Sequence, residues 1–273
     1  MTEREYNELE GVRRSDLWKM NESPEKYKYA LEHPMDPTPA LSFGSATHKL
    51  ILEDQEEFNK EYAVAPVVDK RTSLGKEIWN KFAESNEGKT IISEEEYLKI
   101  VDMNEQICNC PLAEKLIHGK GETETMFLWH DEDTDEICKV KLDRLVEIDN
   151  RFVVVDYKTA ASAQTDKFVH EIFKYGYHLQ AAMYTEGVMI CRKLDYRPDF
   201  IFVVQEKQAP YSVNVIYVAS DSGVMMHGID TFREFIGTLH RCKELDQWPG
   251  YLGAFGEMNE AYLPGYINLG DEE

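Results

Sequence analysis

Two strand-like runs joined by a short polar turn constrain the fold of this chain more than any other feature. The residues from 140 to 159 carry the turn at Asp149-Asn150, and a continuous Phe-Val-Val-Val run follows it. Two turn-forming residues between apolar runs are typical of a tight β-hairpin. An unbroken apolar run is typical of a strand that is buried on both faces. The sequence therefore predicts an antiparallel hairpin whose second strand enters the core.

The register of this hairpin brings two aspartates together. Counting outward from the turn, Ile148 pairs with Arg151 and Asp143 comes to lie opposite Asp156. Facing residues have Cβ atoms about 4.5–5.5 Å apart, where like charges destabilise a sheet. Lys158 projects from the same face as Asp156 because side chains alternate along a strand. Two carboxylates held together beside an ammonium predict a divalent-cation site that acts on an anion.

A solvated ion pair on a surface hairpin is the alternative interpretation of the Asp-x-Lys element. The apolar run before Asp156 weighs against it, because a carboxylate in a buried strand is costly unless it is bound. The second alternative concerns His48, since a helical histidine beside apolar residues is commonly structural. The small residues of the preceding Gly44-Ser-Ala-Thr segment would nevertheless let a ligand approach it. Gln180 and Tyr184, four residues apart, share one helical face and can reach one target.

The composition bounds the class of protein and its compartment. The chain has 273 residues, enough to bury a substantial core, and no apolar run approaches the ~20 residues of a membrane span. The N-terminal Met-Thr-Glu-Arg-Glu-Tyr lacks the regions of a signal peptide. Five cysteines, an odd number, fit a reducing compartment better than a disulfide framework. We therefore expect a cytoplasmic protein without a membrane partner.

The charge of the chain is strongly acidic. It has 51 acidic and 30 basic residues, for a formal net charge of −21. This balance weighs against nucleic acid as a partner. A local basic groove and bound divalent cations can still reverse the potential where a phosphate lies. The charge therefore weakens a nucleic-acid interpretation without excluding it.

The order of the predicted elements indicates an α/β (α+β) fold in which helices flank a small central mixed sheet. We expect one domain over residues 1–273, with its core at about 40–245. No internal repeat or long Gly/Ser linker divides the chain. Ser15 is expected to cap the first helix, and Ser93-Glu-Glu-Glu96 is a capping box. Helices are predicted at about 15–20, 24–30, 44–53, 93–107, 177–190 and 222–245, and strands at about 123–129, 137–148, 151–158, 199–205 and 211–218.

Five motifs follow one another along the chain in a defined order. They are Gly44-Ser-Ala-Thr-His48 with Leu52-Glu53, then Glu124, Asp143, Asp156-Tyr-Lys158-Thr159, and Gln180-Ala-Ala-Met-Tyr184. In this combination the chain resembles the PD-(D/E)xK nuclease superfamily. Within it, the chain resembles the RecE-type (exonuclease VIII-like) exonucleases of phages and prophages, which are related to RecB-like nucleases and lambda exonuclease. The resemblance implies a restriction-endonuclease-like core.

The resemblance also implies a role for each matching residue. Two Mg²⁺ or Mn²⁺ ions per active site would share Asp143, and a water near Lys158 would attack phosphorus in line. Glu124 would support the metal or the water, while Gln180 and Tyr184 would position the ligands and the DNA. The implied metal ligands are His48, Asp143, Asp156 and the carbonyl of Tyr157, and the implied catalytic residues are Asp143, Asp156, Lys158, Glu124, Gln180 and Tyr184.

The activity implied by the resemblance is 5′→3′ digestion of linear double-stranded DNA to mononucleotides, which leaves 3′ overhangs for a single-strand annealing recombinase. A homo-oligomeric ring, trimer or tetramer, and a phage or prophage origin in a bacterial host are expected. Leu142 stands where the superfamily name has proline, and Asp156 replaces the more frequent glutamate. The alternatives are an endonuclease or single-strand-preferring nuclease on the same fold, or a non-cutting DNA-binding protein with a degenerate site.

Two basic segments are candidates for contacting DNA. Arg13 and Arg14 precede the expected helix start at Ser15, where guanidinium groups and N-terminal amides could hold a 5′ phosphate. Balance of surface charge is the alternative interpretation of both segments. The second segment, a predicted loop that could face the duplex backbone, contains Lys70, Arg71 and Lys76.

Overall fold

A five-stranded mixed sheet is the centre of the fold in a computed structural model, which describes residues 3–33 and 39–252. Its strands stand in the order β3-β4-β5-β6-β7, and all neighbours are antiparallel except β5 and β6, which are parallel. The short strands β1 and β2 form a separate parallel pair. The strands are β1 Tyr62–Val64, β2 Thr90–Ile92, β3 Gly121–His130, β4 Ile137–Ile148, β5 Arg151–Ala160, β6 Asp199–Glu206 and β7 Val213–Val218.

Helices cover both faces of this sheet, which confirms the predicted α/β class with a mixed central sheet. The helices are α1 Glu3–Glu8, α2 Arg14–Leu17, α3 Pro24–Glu32, α4 Pro39–Leu52, α5 Gln55–Glu61, α6 Ser73–Ser85, α7 Glu94–Cys108, α8 Pro111–Ile117, α9 Thr165–Lys174, α10 Tyr177–Cys191 and α11 Gly223–Leu245, and a 3₁₀ turn spans Trp18–Asn21.

One buried apolar cluster lies on each face of the sheet. The helices α9, α10 and α11 pack on one face, and α4, α7 and α8 pack on the other. Because β5 has core on both sides, its apolar run is continuous rather than alternating. The first cluster includes Leu145, Val154, Phe200, Phe202, Phe232 and Leu239, and the second includes Ile51, Ile100, Met103, Val153, Val155 and Tyr157.

The hairpin of β4 and β5 forms at the predicted turn. Asp149 and Asn150 have φ angles of 50° and 62°, the left-handed conformation that both central residues of a type I′ turn adopt. Ile148 pairs with Arg151, as predicted, and the ladder continues in the same register to Arg144 and Val155. The turn therefore fixes the register of the strands that carry the two aspartates.

Side-chain caps define several helix starts. Ser93 and Glu96 form the predicted capping box at the start of α7, and Ser222 caps α11. The predicted cap at Ser15 is wrong, because α2 already begins at Arg14 and Arg13 makes no side-chain capping bond. The reason is a long-range contact: Val12 forms a parallel bridge with Cys138 in β4, and this bridge holds the chain extended up to the helix.

In the part of the chain that the structure describes, no helix has both the length and the apolar character needed to cross a membrane.

Candidate functional site

The predicted carboxylates meet where the β4–β5 ladder ends. Continuing the register one residue beyond Arg144 and Val155 leads to Asp143 and Asp156, but the paired ladder stops before them. Instead, the Asp143 carboxylate accepts a hydrogen bond from the backbone N–H of Tyr157, with an Oδ2–N distance of 2.8 Å. An aspartate side chain thus takes the place of a backbone partner, and the two strands separate beside it.

Asp156 is held by two side chains. It is 1% exposed, its Oδ2 lies 2.6 Å from the Nζ of Lys158, and its Oδ1 accepts a hydrogen bond from the Gln180 amide. Burial raises the pKa of Asp156 to about 6, against the opposing effect of Lys158, and the neighbouring Asp143 raises it further. Burial also raises the pKa of Asp143. Ionisation of either carboxylate therefore costs desolvation free energy, and a bound cation would offset that cost.

His48 reaches this point from α4 on the opposite side. Its Nδ1 lies 3.5 Å from Oδ2 of Asp143, and its ring centroid lies 5.2 Å from that of Tyr157. Burial, followed by the nearby Lys158 ammonium, lowers the pKa of His48 to about 4. The imidazole is therefore neutral at physiological pH and has a nitrogen lone pair available for a metal.

Glu124 occupies a strained backbone position in β3. Its φ is 52°, and the pairing of β3 with β4 skips it, although Thr123 pairs with Arg144 and Thr125 pairs with Leu142. The skipped position lies opposite Asp143. Burial raises the pKa of Glu124 to about 7, although its carboxylate lies 2.5 Å from the Nζ of Lys141.

The Tyr157 and Tyr184 side chains lie on the protein side of the site. Tyr157 is fully buried, and its hydroxyl donates to the Gln205 side chain over 2.6 Å. Burial raises the pKa of Tyr184, and Asp156 adds to this effect, so that both phenols stay protonated. From α10, Gln180 therefore contacts Asp156, and Tyr184 lies within electrostatic range of the same carboxylate.

The structure separates the predicted DNA-contacting residues. Arg14 extends toward the site: its guanidinium donates to the Tyr175 carbonyl over 2.8 Å and lies 5.3 Å from the centroid of the Tyr177 ring. Burial lowers the pKa of Arg14. Arg13 instead lies over the ring of Tyr6 at 6.0 Å, and Ser15 is exposed in the first turn of α2.

The Lys70 segment contributes nothing to the cleft around the carboxylates. Lys70 lies over the Trp79 ring, and Arg71 and Lys76 are exposed in the turn before α6 and in its first turn. None of the three lines the cleft. The predicted loop is in part a helix, because α6 starts at Ser73 with Thr72 as its N-cap. A DNA contact by these residues stays a prediction.

A cleft of about 430 Å³, here called the main cleft, opens onto the carboxylates of Asp143 and Glu124. Sequence reasoning missed its cations. Lys141 could have been found, because it lies two residues before Asp143 on one strand face. Lys49 and Lys207 carry no such local signal. The main cleft is lined by Gly44, Ser45, His48, Lys49, Glu53, Glu61, Tyr62, Glu124, Lys141, Asp143, Thr159 and Lys207.

The donor groups of the site fit a hard divalent cation. Mg²⁺ and Mn²⁺ favour carboxylate oxygens, keep several waters and commonly take only one or two protein carboxylates. Asp143 and Asp156 supply the buried carboxylates, and His48 supplies a neutral nitrogen. Among the described residues, no three histidine, cysteine, aspartate or glutamate side chains are already gathered as a complete metal cage.

Sequence comparison gives one family. Residues 14–259 match the family described as "PDDEXK-like domain of unknown function (DUF3799)". This range includes every motif from Gly44 to Tyr184. No curated protein matches the chain in sequence.

Two solved structures resemble the fold to different degrees. The crystal structure of a protein from Eubacterium rectale named "Putative exonuclease" has a TM-score of 0.64 at 16% identity, with 96% of this chain and 94% of that chain covered. At this identity the likeness concerns the fold alone. The crystal structure of SSO0001 has a TM-score of 0.32 at 12% identity, covering 72% of this chain and 84% of that one, and so weak a likeness supports no argument.

Proposed function

The chain belongs to the PDDEXK-like family DUF3799, which confirms the predicted PD-(D/E)xK superfamily, and on this basis we propose that it is a divalent-cation-dependent nuclease that hydrolyses DNA phosphodiester bonds. One observation carries the proposal. Asp143, Asp156 and Lys158 converge where the β4–β5 ladder ends, with the Nζ of Lys158 2.6 Å from Asp156, and Asp143 lines the main cleft.

The proposed chemistry assigns a different task to each side chain. Lys158, as an ammonium, donates hydrogen bonds and can hold a water in line with phosphorus. Its position depends on Asp156, which the Gln180 amide fixes from α10. His48 and Asp143 approach the same point from α4 and β4. Divalent cations held by Asp143, Asp156 and His48 would supply positive charge to the phosphoryl oxygens.

The finer activity follows from the resemblance to RecE-type exonucleases. We propose 5′→3′ digestion of linear duplex DNA to mononucleotides, leaving 3′ overhangs for an annealing recombinase in a phage-encoded pathway. Arg14 supports a contact with the DNA end, because its guanidinium is anchored beside the site by the Tyr175 carbonyl. A ring of three or four subunits is part of this proposal, since a ring could keep the duplex in place despite the acidic surface.

Lys158→Ala tests the chemistry. A catalytic proton-handling or water-positioning group contributes about 10²–10⁴-fold, so we expect at least a hundredfold loss of Mg²⁺-dependent release of nucleotides from linear duplex. Lys167→Ala, which removes an exposed lysine from α9, is the matched control and should retain full activity. A Lys158→Ala protein that folds normally and keeps substantial activity contradicts the proposed mechanism.

The choice of DNA substrate separates the alternatives. Linear duplex labelled at either end, with and without a 5′ phosphate, reports polarity, and a covalently closed circle is degraded only by an endonuclease.

Mn²⁺ titration calorimetry gives a readout independent of cutting: we expect binding to the native protein and weakened binding to Asp143→Asn. Absence of both Mn²⁺ binding and cutting would contradict the nuclease and favour the alternative of a non-cutting DNA-binding protein.

A further inference from the structure

A second cleft adjoins the main cleft. It measures about 290 Å³, at the small end of the range for ligand pockets, and is here called the side cleft. Thr159 and Lys207 line both clefts, so the two form one continuous groove past the ends of β5 and β6. The side cleft is lined by Thr159, Ala160, Ala161, Glu171, Tyr175, Tyr177 and Lys207.

Lys207 is the distinctive cation of this groove. The other lysines of the main cleft are neutralised, since Lys49 pairs with Glu53 and Glu61, and Lys141 pairs with Glu124. No carboxylate of the described residues forms an ion pair with the Lys207 ammonium. Its backbone N–H donates to the Ala160 carbonyl over 3.1 Å, which fixes the lysine at the junction of the clefts. A half-buried cation without a partner in a chain of net charge −21 suits an anionic ligand.

The wall of the side cleft is aromatic. Tyr175 is 42% exposed, although it stands next to the Tyr177 ring at 5.8 Å. Tyr177 is itself packed against Phe168 and Phe202 in the core, whereas the Tyr175 ring stays exposed, with the Lys174 ammonium 5.0 Å from its centroid. An exposed aromatic ring beside a cation is the arrangement on which unpaired nucleotides stack while their phosphates are held.

We propose that the side cleft binds one unpaired nucleotide of the DNA strand, next to the phosphodiester in the main cleft, with its base stacked on Tyr175 and its phosphate on Lys207. This inference rests on the proposed nuclease function and adds to it: the strand reaches the site locally single-stranded. Glu171 lines the same cleft and can accept hydrogen bonds from amino groups of the base. Its negative charge repels the phosphate, which is thereby favoured at the Lys207 end of the cleft.

Binding of a fluorescent single-stranded oligonucleotide, measured by anisotropy in EDTA over a range of salt concentrations, tests the proposal without cutting. Tyr175→Ala should weaken binding about tenfold with an unchanged salt slope, and Tyr175→Phe should retain the affinity. Lys207→Gln should weaken binding and reduce the slope of log K against log salt by about 0.7, the value for one phosphate contact on a single strand. Lys167→Gln, at an exposed position of α9, is the control and should change neither quantity.

The outcomes separate this inference from the proposed function. If the native protein cuts DNA but Tyr175→Ala and Lys207→Gln bind like the Lys167→Gln control, the side-cleft site is wrong and the nuclease stands. If the native protein does not cut but shows the expected slopes, the nuclease proposal is wrong and the nucleotide site is supported. If the native protein cuts DNA but does not bind the oligonucleotide, the side-cleft site is wrong and the nuclease stands. If it neither cuts nor binds, both are overturned.

Discussion

At the scale of single residues, Glu124 combines backbone strain with an unfavourable electrostatic position. A left-handed conformation costs a non-glycine residue about 1–2 kcal/mol, and Glu124 holds it inside a strand with φ of 52°. Burial also raises the pKa of its carboxyl to about 7. Strain of this kind persists where the surroundings impose the conformation. Here the Lys141 ammonium holds the Glu124 carboxylate, and the β3–β4 pairing passes over Glu124 at the position opposite Asp143. The strained backbone directs Glu124 into the main cleft.

Comparison of Glu124→Gly with Glu124→Ala isolates the backbone contribution, because both variants lose the carboxylate. Glycine tolerates a positive φ, so Glu124→Gly should be the more stable by about 1 kcal/mol in urea unfolding. Thr125 provides the control, since it is paired in the ladder, and there the alanine variant should be the more stable. Equal stabilities of the two Glu124 variants would contradict a left-handed backbone at this position.

Whether a site residue could be predicted depends on how far its partner lies along the chain. Asp143, Asp156 and Lys158 were predictable, because a two-residue turn and strict alternation connect them. Lys141 follows from the same alternation and was missed. Lys207 could not have been predicted, because its place between the clefts depends on the neighbouring parallel strands β5 and β6 and on a turn that no periodicity reveals.

At the scale of elements, the close contact of α10 and α11 positions the residues that face Asp156. Gly228 of α11 lies against the backbone of α10, where an added Cβ would come within 2.2 Å of the His178 carbonyl oxygen. His178 precedes Gln180 by two residues on α10. Any separation of the two helices would therefore displace the amide that holds Asp156.

Gly228→Ala should destabilise the protein by about 1–3 kcal/mol, the range for overpacking, and should also lower nuclease activity through Gln180. Gly237→Ala lies in the same helix where an added Cβ meets nothing closer than 3.8 Å. It should stabilise the protein by up to about 1 kcal/mol, the helix preference of alanine over glycine, and leave activity unchanged. Urea unfolding and nucleotide release measure both effects. A Gly228→Ala protein as stable as Gly237→Ala would show that the helices do not meet at Gly228.

The longest helices were predictable, whereas α6 and several shorter elements were missed. The runs at about 177–190 and about 222–245 contain no proline and span several turns, and α10 and α11 follow them within one or two residues. The expected start at Ser15 failed because Val12 is bound to β4, more than a hundred residues away. Short helices such as α5 and α8 begin at local signals, the Asp54 N-cap and Pro111, but helices of seven residues depend on tertiary packing for their stability.

At the scale of the whole molecule, the acidic charge opposes the proposed substrate. With a formal net charge of −21, the protein repels DNA at long range, so affinity has to come from local contacts. The ion pairs of Lys49, Lys141 and Lys158 leave little free positive charge in the main cleft. Bound divalent cations and the cations at Arg14 and Lys207 are therefore the groups expected to reverse the potential locally.

The same excess charge should make the stability of the fold depend on salt. Self-repulsion destabilises a compact state and is screened as the Debye length falls from about 14 Å near 0.05 M to about 4 Å near 0.5 M salt. The melting temperature should therefore rise with NaCl at about pH 7.5, measured by calorimetry at one protein concentration. The sequence pI is about 4.8, so at about pH 5.5 the net charge is smaller and the rise should be clearly reduced. An equal rise at both pH values would assign the salt effect to general solvation and not to the acidic surface.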